Sequence, residues 1–400
     1  MKRLLGLSLG LALLAAVACT ATSTAQGGGG YSDRPPGGQI NVTYFYQELS
    51  PYGEWFPNPS YGWCWTPYDV SADWRPYSDG RWEYTDYGWS WASNEPYGWA
   101  AYHYGRWFFD DSYGWVWVPG TEWAPAWVAW RYSDDYVGWA PLPPTARWDD
   151  SAGLAFSDAG AIQSNEWCFV PRQQVLSVSI RLQLTSIARN VTLLDRSRDA
   201  TRFEVREGRP ANIGIDVGQV EVAIGRPVPR VRIVDVQAPD HGRGQPAGSG
   251  TIGFFRPKLQ AMPVEQLPPP SVTTQRGAIP DAMMQRVRAD KQRQLESDLN
   301  AERTRLAREQ QNDLAARPVG PAVAEIQRRH AVEQQAFEAN AARQRQVLVH
   351  RIDKQIVRPD KAGGPATPDQ VSNPAKPDKA DKAAKPDNPG KDKGKKKGGN

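Results

Sequence analysis

Tryptophan is the residue of this chain with the strongest claim to chemistry. There are 17, all between Trp55 and Trp167, and all 15 tyrosines lie before Val137. An exposed indole face can stack on a sugar ring while nearby Asp, Asn and Arg bond the hydroxyls, and a large exposed apolar patch usually marks binding. The same rings can instead fill a core, because each buries a large area. One phrase recurs: Tyr61-Gly62-Trp63-Cys64-Trp65, Tyr87-Gly88-Trp89-Ser90-Trp91 and Tyr113-Gly114-Trp115-Val116-Trp117. Trp63, Trp65, Trp89, Trp91, Trp115 and Trp117 are therefore the candidate ligand platforms. Arginines adjoin indoles at Trp74-Arg75, Arg81-Trp82, Arg106-Trp107 and Trp130-Arg131. Cation–π contacts there read first as structural staples.

Catalytic groups are thinly supplied. His103 is the only histidine before His241, so no His-based zinc cluster can form within the aromatic segment. There is no Gly-x-Ser-x-Gly elbow and no phosphate loop. Asp110-Asp111 and Asp134-Asp135 are the nearest approach to a glycosidase carboxyl pair. Both fit hairpin turns better, where Asp is favoured. We expect no catalytic residue, no cofactor and no metal, hence a protein that is not an enzyme.

The elements that position the indoles follow from the spacing. The three phrases begin 26 residues apart, the mark of a repeated unit that cannot bury its face alone. Each reads as an antiparallel hairpin. Arg81-Trp82-Glu83-Tyr84 leads through a short Asp/Gly turn to Trp89-Ser90-Trp91, which places Tyr84 opposite Trp89 and Trp82 opposite Trp91. Residues two apart share a strand face, so these rings form cross-strand pairs. In the next copy Trp107 and Phe109 face Trp117 and Trp115. We expect consecutive hairpins with no helix between Arg81 and Trp117. The register of the first copy is open.

The fold class expected is mainly β. Trp-rich hairpin repeats (41–150) precede a second, aliphatic β part (151–238) resembling a β-sandwich or open barrel, with alternation over Val175–Leu184, Val220–Ile224 and Val231–Val234. A Pro/Gly-rich linker (239–280), a charged helical region (281–352) and a disordered Lys-rich tail (353–400) complete the chain. Val287, Leu295, Leu299, Leu306 and Leu314 lie near one helical face, but charged residues interrupt the coiled-coil heptad.

Charge is segregated. Residues 41–150 carry 15 carboxylates, five arginines and no lysine, a net −10, whereas residues 239–400 carry +10 within a total of +4. An acidic aromatic segment repels phosphate backbones, which argues against a nucleic-acid partner. The basic C-terminal third reads as an extended arm outside the folded domain, reaching for anionic envelope material or resting loosely on the acidic segment.

Residues 1–25 read as a signal peptide, with Lys2 and Arg3 before an apolar run too short to span a bilayer, and 26–40 as a flexible leader. Two cleavage readings compete. Ala16-Val17-Ala18-Cys19 resembles a lipobox with Cys19 lipidated, and Ser23-Thr24-Ala25 resembles an ordinary cleavage site. Either places the protein outside the cytoplasm. The remaining pair, Cys64 and Cys168, is then the candidate disulfide.

Pro51-Tyr52-Gly53-Glu54-Trp55, the YGWxW phrases, Ala101-Tyr102-His103-Tyr104-Gly105-Arg106-Trp107 and Trp115-Val116-Trp117-Val118-Pro119-Gly120 together resemble a known bacterial family. Trp123-Ala124-Pro125-Ala126-Trp127-Val128 and Gly138-Trp139-Ala140-Pro141-Leu142-Pro143-Pro144 extend the likeness, which runs over roughly residues 44–235. The family is the exported, Trp-rich domain of unknown function 6600. The resemblance implies an exported envelope protein of the periplasm, outer membrane or cell surface, and carries no catalytic residues. The function expected is a non-enzymatic binding or scaffold module. The alternative is a carbohydrate- or peptidoglycan-binding module using exposed Trp platforms. Partners would be envelope polysaccharide, peptidoglycan or another envelope protein, with membrane contact only through a lipid anchor.

Overall fold

The structure is a computed structural model and describes residues 40–156, 159–239, 244–246, 249–260, 281–315, 318–354 and 356. The signal peptide, Cys19, the leader before residue 40, most of the linker and the Lys-rich tail beyond residue 356 lie outside the described residues.

Strand β1 (Ile40–Asn41) and helix α1 (Tyr44–Leu49) lead into the hairpin β2 (Gly53–Asn58) and β3 (Gly62–Pro67). The hairpin β4 (Gly80–Thr85) and β5 (Gly88–Ser93) follows, then a helical turn, α2 (Gly98–Ala101). Next come β6 (Arg106–Asp110) with β7 (Gly114–Val118), β8 (Val128–Tyr132) with β9 (Tyr136–Pro141), and the small pair β10 (Arg147–Asp149) and β11 (Gly153–Ala155). The second part holds β12 (Cys168–Pro171), α3 (Asn190–Asp195), β13 (Arg198–Asp199), β14 (Phe203–Arg206), β15 (Arg209–Asn212) and α4 (Val217–Ile224). It ends in β16 (Arg230–Asp235), β17 (Gln245–Pro246), β18 (Thr251–Phe254) and β19 (Leu259–Gln260). Two long helices, α5 (Asp281–Ala315) and α6 (Pro321–Asp353), close the described chain.

The repeated phrase has a local cause. Gly62, Gly88 and Gly114 all adopt positive φ, at 72°, 81° and 75°. Each closes its hairpin turn in a conformation that only glycine takes freely. The two tryptophans that follow then share one strand face. The registers match the expected ones: Trp82 pairs with Trp91, Tyr84 with Trp89, Trp107 with Trp117 and Phe109 with Trp115. In the first copy Trp55 pairs with Trp65 and Pro57 with Trp63.

The hairpins are not stacked consecutively. The first and third copies share a four-stranded sheet, β2-β3-β7-β6, while the second enters a seven-stranded sheet, β14-β15-β5-β4-β16-β18-β17. Helix α2 sits between them, which corrects the expectation of no helix from Arg81 to Trp117. It carries the chain from one sheet to the other and buries Trp99. A third large sheet, β12-β9-β8-β13, and two two-stranded pairs, β1-β19 and β10-β11, complete the architecture. Indoles from all three sheets meet in one cluster, with Trp82 4.5 Å from Trp130 and 5.6 Å from Trp139 between ring centroids.

The aliphatic part is not a sandwich. Residues expected as the Val175–Leu184 strand form turns instead, including the 3₁₀ turn Ile180–Gln183. Val178 and Leu182 there are 77% and 80% exposed. The Val220–Ile224 alternation is helix α4, with Val222 80% exposed. Its signals were helical: the Asp216 side chain accepts the Gln219 N–H as N-cap, and Gly225 ends the helix at φ 70°. Only Val231–Val234 is a strand, within β16.

The C-terminal helices are docked, not extended. They run antiparallel, tied by Arg288–Asp353, Glu296–Arg345 and Arg303–Glu338. Leu299, Leu306, Phe337 and Ala341 pack with Ala72 and Ala188 of the β domain. The expected apolar face is thus real, but it binds the β domain as well as its partner helix. The docking uses both signs of charge: Lys291, Arg305 and Arg343 pair with Asp69, Asp73 and Asp111 of the acidic segment, as the charge split implies. Acidic groups of α5, spaced so that they share one helical face, meet donors on the β domain: Asp298 accepts from the Ala72 N–H and Glu302 from the Ile187 N–H.

Candidate functional site

The candidate platforms are spent on the core. Trp65, Trp89, Trp91, Trp115 and Trp117 are buried, and Trp63 is half-buried against the same cluster. Across the chain 15 of 17 tryptophans are buried, leaving Trp63 and Trp148 partly accessible. Indole is suited to this because it brings a large apolar ring and one N–H. That N–H pins loops to sheets: Trp65 donates to the Leu49 carbonyl at 3.1 Å, Trp89 to Ile215 at 2.9 Å, Trp107 to Ala101 at 2.8 Å and Trp117 to Tyr104 at 2.7 Å. Trp127 and Trp139 likewise donate to the carbonyls of His103 and Tyr77. A sugar platform needs the ring face free, and these faces are covered.

The arginine staples exist, but not between sequence neighbours. Arg106 lies over Trp127 with its guanidinium carbon 3.5 Å from the ring centroid, and Arg131 lies over Trp167. Adjacent residues on a strand point to opposite faces, so Arg106 cannot cover Trp107. Arg106 also donates to the carbonyls of Ala146 and Gly105, and burial pulls its pKa down to about 9.

Within the Trp-rich hairpins a buried carboxyl, Glu95, can titrate near neutrality. Glu95, between β5 and α2, accepts from the Trp74 indole at 2.6 Å, from the Tyr97 hydroxyl at 2.5 Å and from the Tyr102 hydroxyl. Burial of the carboxyl lifts its pKa to about 7, against the pull of these donors, with Asp79 adding to the rise. This group can hold a proton near neutral pH. Nothing in the sequence flagged it, because the fold must bring Trp74 from before β4 to meet Tyr97 and Tyr102, which flank α2.

The other candidates are structural. Asp110 caps its turn by accepting the Ser112 and Tyr113 N–H groups, and Asp111 pairs with Arg343 at 2.5 Å. Asp134 and Asp135 occupy the exposed β8–β9 turn, with Asp135 3.8 Å from Arg196. His103 stacks on Trp123 and bonds the Ala124 carbonyl through Nδ1. Burial lowers its pKa to about 4, so it is neutral. Among the described residues no cluster of three or more His, Cys, Asp or Glu is placed to hold a metal. No helix among them is long and apolar enough to cross a membrane. An open, shallow groove on α5 is lined by Asn300, Thr304, Arg305 and Arg308.

The expected Cys64–Cys168 bridge is not formed, and both thiols are free and buried. They belong to different sheets. Cys64 on β3 packs with Phe56 and Val116, whereas Cys168 on β12 pairs with Trp139 on β9 and adjoins Arg75. Burial pushes the Cys64 pKa up to about 12, with Asp110 adding to the rise. Burial also raises that of Cys168, against the pull of Arg75.

These features define a mainly β protein whose aromatic repeats are its core, clasped by a polar helical hairpin. Residues 46–146 match a family of unknown function (DUF6600). The matched stretch covers α1 through the β8–β9 hairpin and stops well short of the span suggested by the sequence likeness. Comparison with curated proteins and with solved structures gave no match.

Proposed function

We propose that the protein is an exported, non-catalytic component of the bacterial cell envelope that works as a scaffold or binding module through its outer surfaces. The inward packing of the indoles carries this reading. Rings committed to the core, several of them with the N–H bonded to a backbone carbonyl, make a rigid body and leave recognition to the polar exterior. The charged start and short apolar run of residues 1–25 support export, and Cys19 offers the lipid anchor. Partners are then envelope polysaccharide, peptidoglycan or another envelope protein. The net −10 of residues 41–150 weighs against nucleic acid.

The experiment is a peptidoglycan and glycan pull-down of the full-length protein, with intrinsic tryptophan emission followed during the same titrations. The reading expects retention on envelope material without a saturable change in emission on adding soluble glycans. A saturable emission change would assign binding to the indoles and restore the platform alternative. Loss of all retention would remove the envelope role.

A further inference from the structure

The junction between the helical hairpin and the β domain gathers carboxylates around one guanidinium. Arg189 is buried, with Asp313 at 3.1 Å, Glu333 at 3.6 Å and Glu309 at 4.0 Å. Glu302 accepts from the Ser186 hydroxyl at 2.8 Å and the Ile187 N–H at 2.6 Å, and Glu309 accepts from the Ser186 N–H at 3.2 Å. Glu333 accepts from the Thr192 hydroxyl and from Gln310.

The other groups facing this cluster are few. Arg305 is shared between Glu302 and Asp73, Arg181 also pairs with Asp73, and His330 meets Asp313 at 3.1 Å. The Tyr136 phenol lies near Arg189, Glu309 and Asp313. Five carboxylates (Asp73, Glu302, Glu309, Asp313 and Glu333) thus face three guanidinium groups. Like charges this close, in a largely buried junction, cannot all ionise without cost. The apolar part of the junction is small: Leu299, Leu306, Phe337 and Ala341 against Ala72 and Ala188. A change of one or two charges at this cluster therefore weighs heavily on docking, alongside the Arg351 contacts at the other end of α6.

We propose that the α5–α6 hairpin is a proton-operated clasp, closed on the β domain in mildly acidic surroundings and released in alkaline ones. Glu309 is the principal proton carrier. Burial is the largest influence on it and lifts its pKa to about 7, opposed by Arg189 and the Ser186 N–H and assisted by Glu302. A carboxyl whose pKa is higher docked than free favours docking fully below its ordinary value near 4.5, and that advantage is lost as pH climbs through about 7. Glu166, across the same interface, is also lifted to about 7 by burial, against the pull of Arg343 on α6.

The test is hydrogen–deuterium exchange on the full-length protein at about pH 5.5 and about pH 8.5, corrected for intrinsic exchange rates, beside the variant Glu309→Gln. Gln keeps an acceptor for the Ser186 N–H and cannot ionise. In the wild type, protection of α5 should fall at the higher pH by at least about tenfold more than that of β4–β9. In Glu309→Gln the fall should shrink to less than about threefold. Constant α5 protection in the wild type overturns the clasp. Parallel loss in β4–β9 also overturns it, because the event is then global unfolding. An undiminished fall in Glu309→Gln overturns the assignment to Glu309.

Discussion

Arg351, in the last turn of α6, donates from Nη2 to the carbonyl oxygen of Pro67 at the end of β3, at 2.6 Å. Its Nη1 reaches the Thr66 hydroxyl and the Tyr113 carbonyl, both at 2.8 Å. One guanidinium thus joins the end of the helical hairpin to β3 and to the β6–β7 turn of the Trp-rich domain. Arg351→Ala should lower unfolding stability by about 2–4 kcal/mol, because three acceptors lose their donor in a buried site. Arg351→Lys should recover only part of this, since an ammonium cannot reproduce the planar fork. Denaturant midpoints measure both, and an unchanged midpoint for Arg351→Ala would show that the hairpin is not fastened there.

Tyr77 is a second junction. Its hydroxyl donates to the Tyr102 carbonyl at 2.8 Å and accepts the Trp127 N–H at 3.1 Å. Its own carbonyl takes the Trp139 indole N–H, and its φ is 63°, rare for a residue with a side chain. Tyr77→Phe should cost about 1–3 kcal/mol, with the ring still seated and two buried backbone groups unpaired. Equal stability of the variant and wild type would contradict this.

Glu95 gives a pH dependence of its own. Burial places its pKa near 7, above the ordinary 4.5, so its contribution to folding is full in acid and is lost as pH rises through about 7. Glu95→Gln should flatten the decline in denaturant midpoint between about pH 5 and about pH 8. Glu309 and Glu166 contribute in the same direction, so the comparison is of slopes between wild type and variant. Identical slopes would mean that the carboxyl does not retain its proton in the fold.

Cys64 and Cys168 should both be silent toward alkylating reagents in the native protein and both react after unfolding, without added reductant. Their burial and raised pKa values keep them as thiols. Two thiols that stay unreactive after unfolding in the absence of reductant would mean a bridge, and with it a different placement of β3 and β12.

The sequence made the hairpins legible because Gly62, Gly88 and Gly114 set the turns and the strand period set the pairs, such as Trp82 with Trp91. Sheet membership was not legible. Whether β5 joins β7 or β15 depends on distant segments, as in the single bridge between Asn212 and Gly88. Helix α4 could have been recognised from Asp216 and Gly225, but its Val-rich alternation imitates a strand. Docking of α5 and α6 was hidden because buried Glu302, Glu333 and Arg351 look like solvent-facing charges until their partners are known. Indole burial was not legible, because ring number alone does not say how many sheet faces will meet; here the sheets supply faces for 15 of the 17.

Iodide quenching of tryptophan emission in the native full-length protein tests the central claim most directly. If the repeats are core, only Trp63 and Trp148 are reachable, so the accessible fraction should be at most about one eighth of the emission. Iodide quenching of half or more of the native emission would contradict this account, because the YGWxW indoles would then face solvent as platforms.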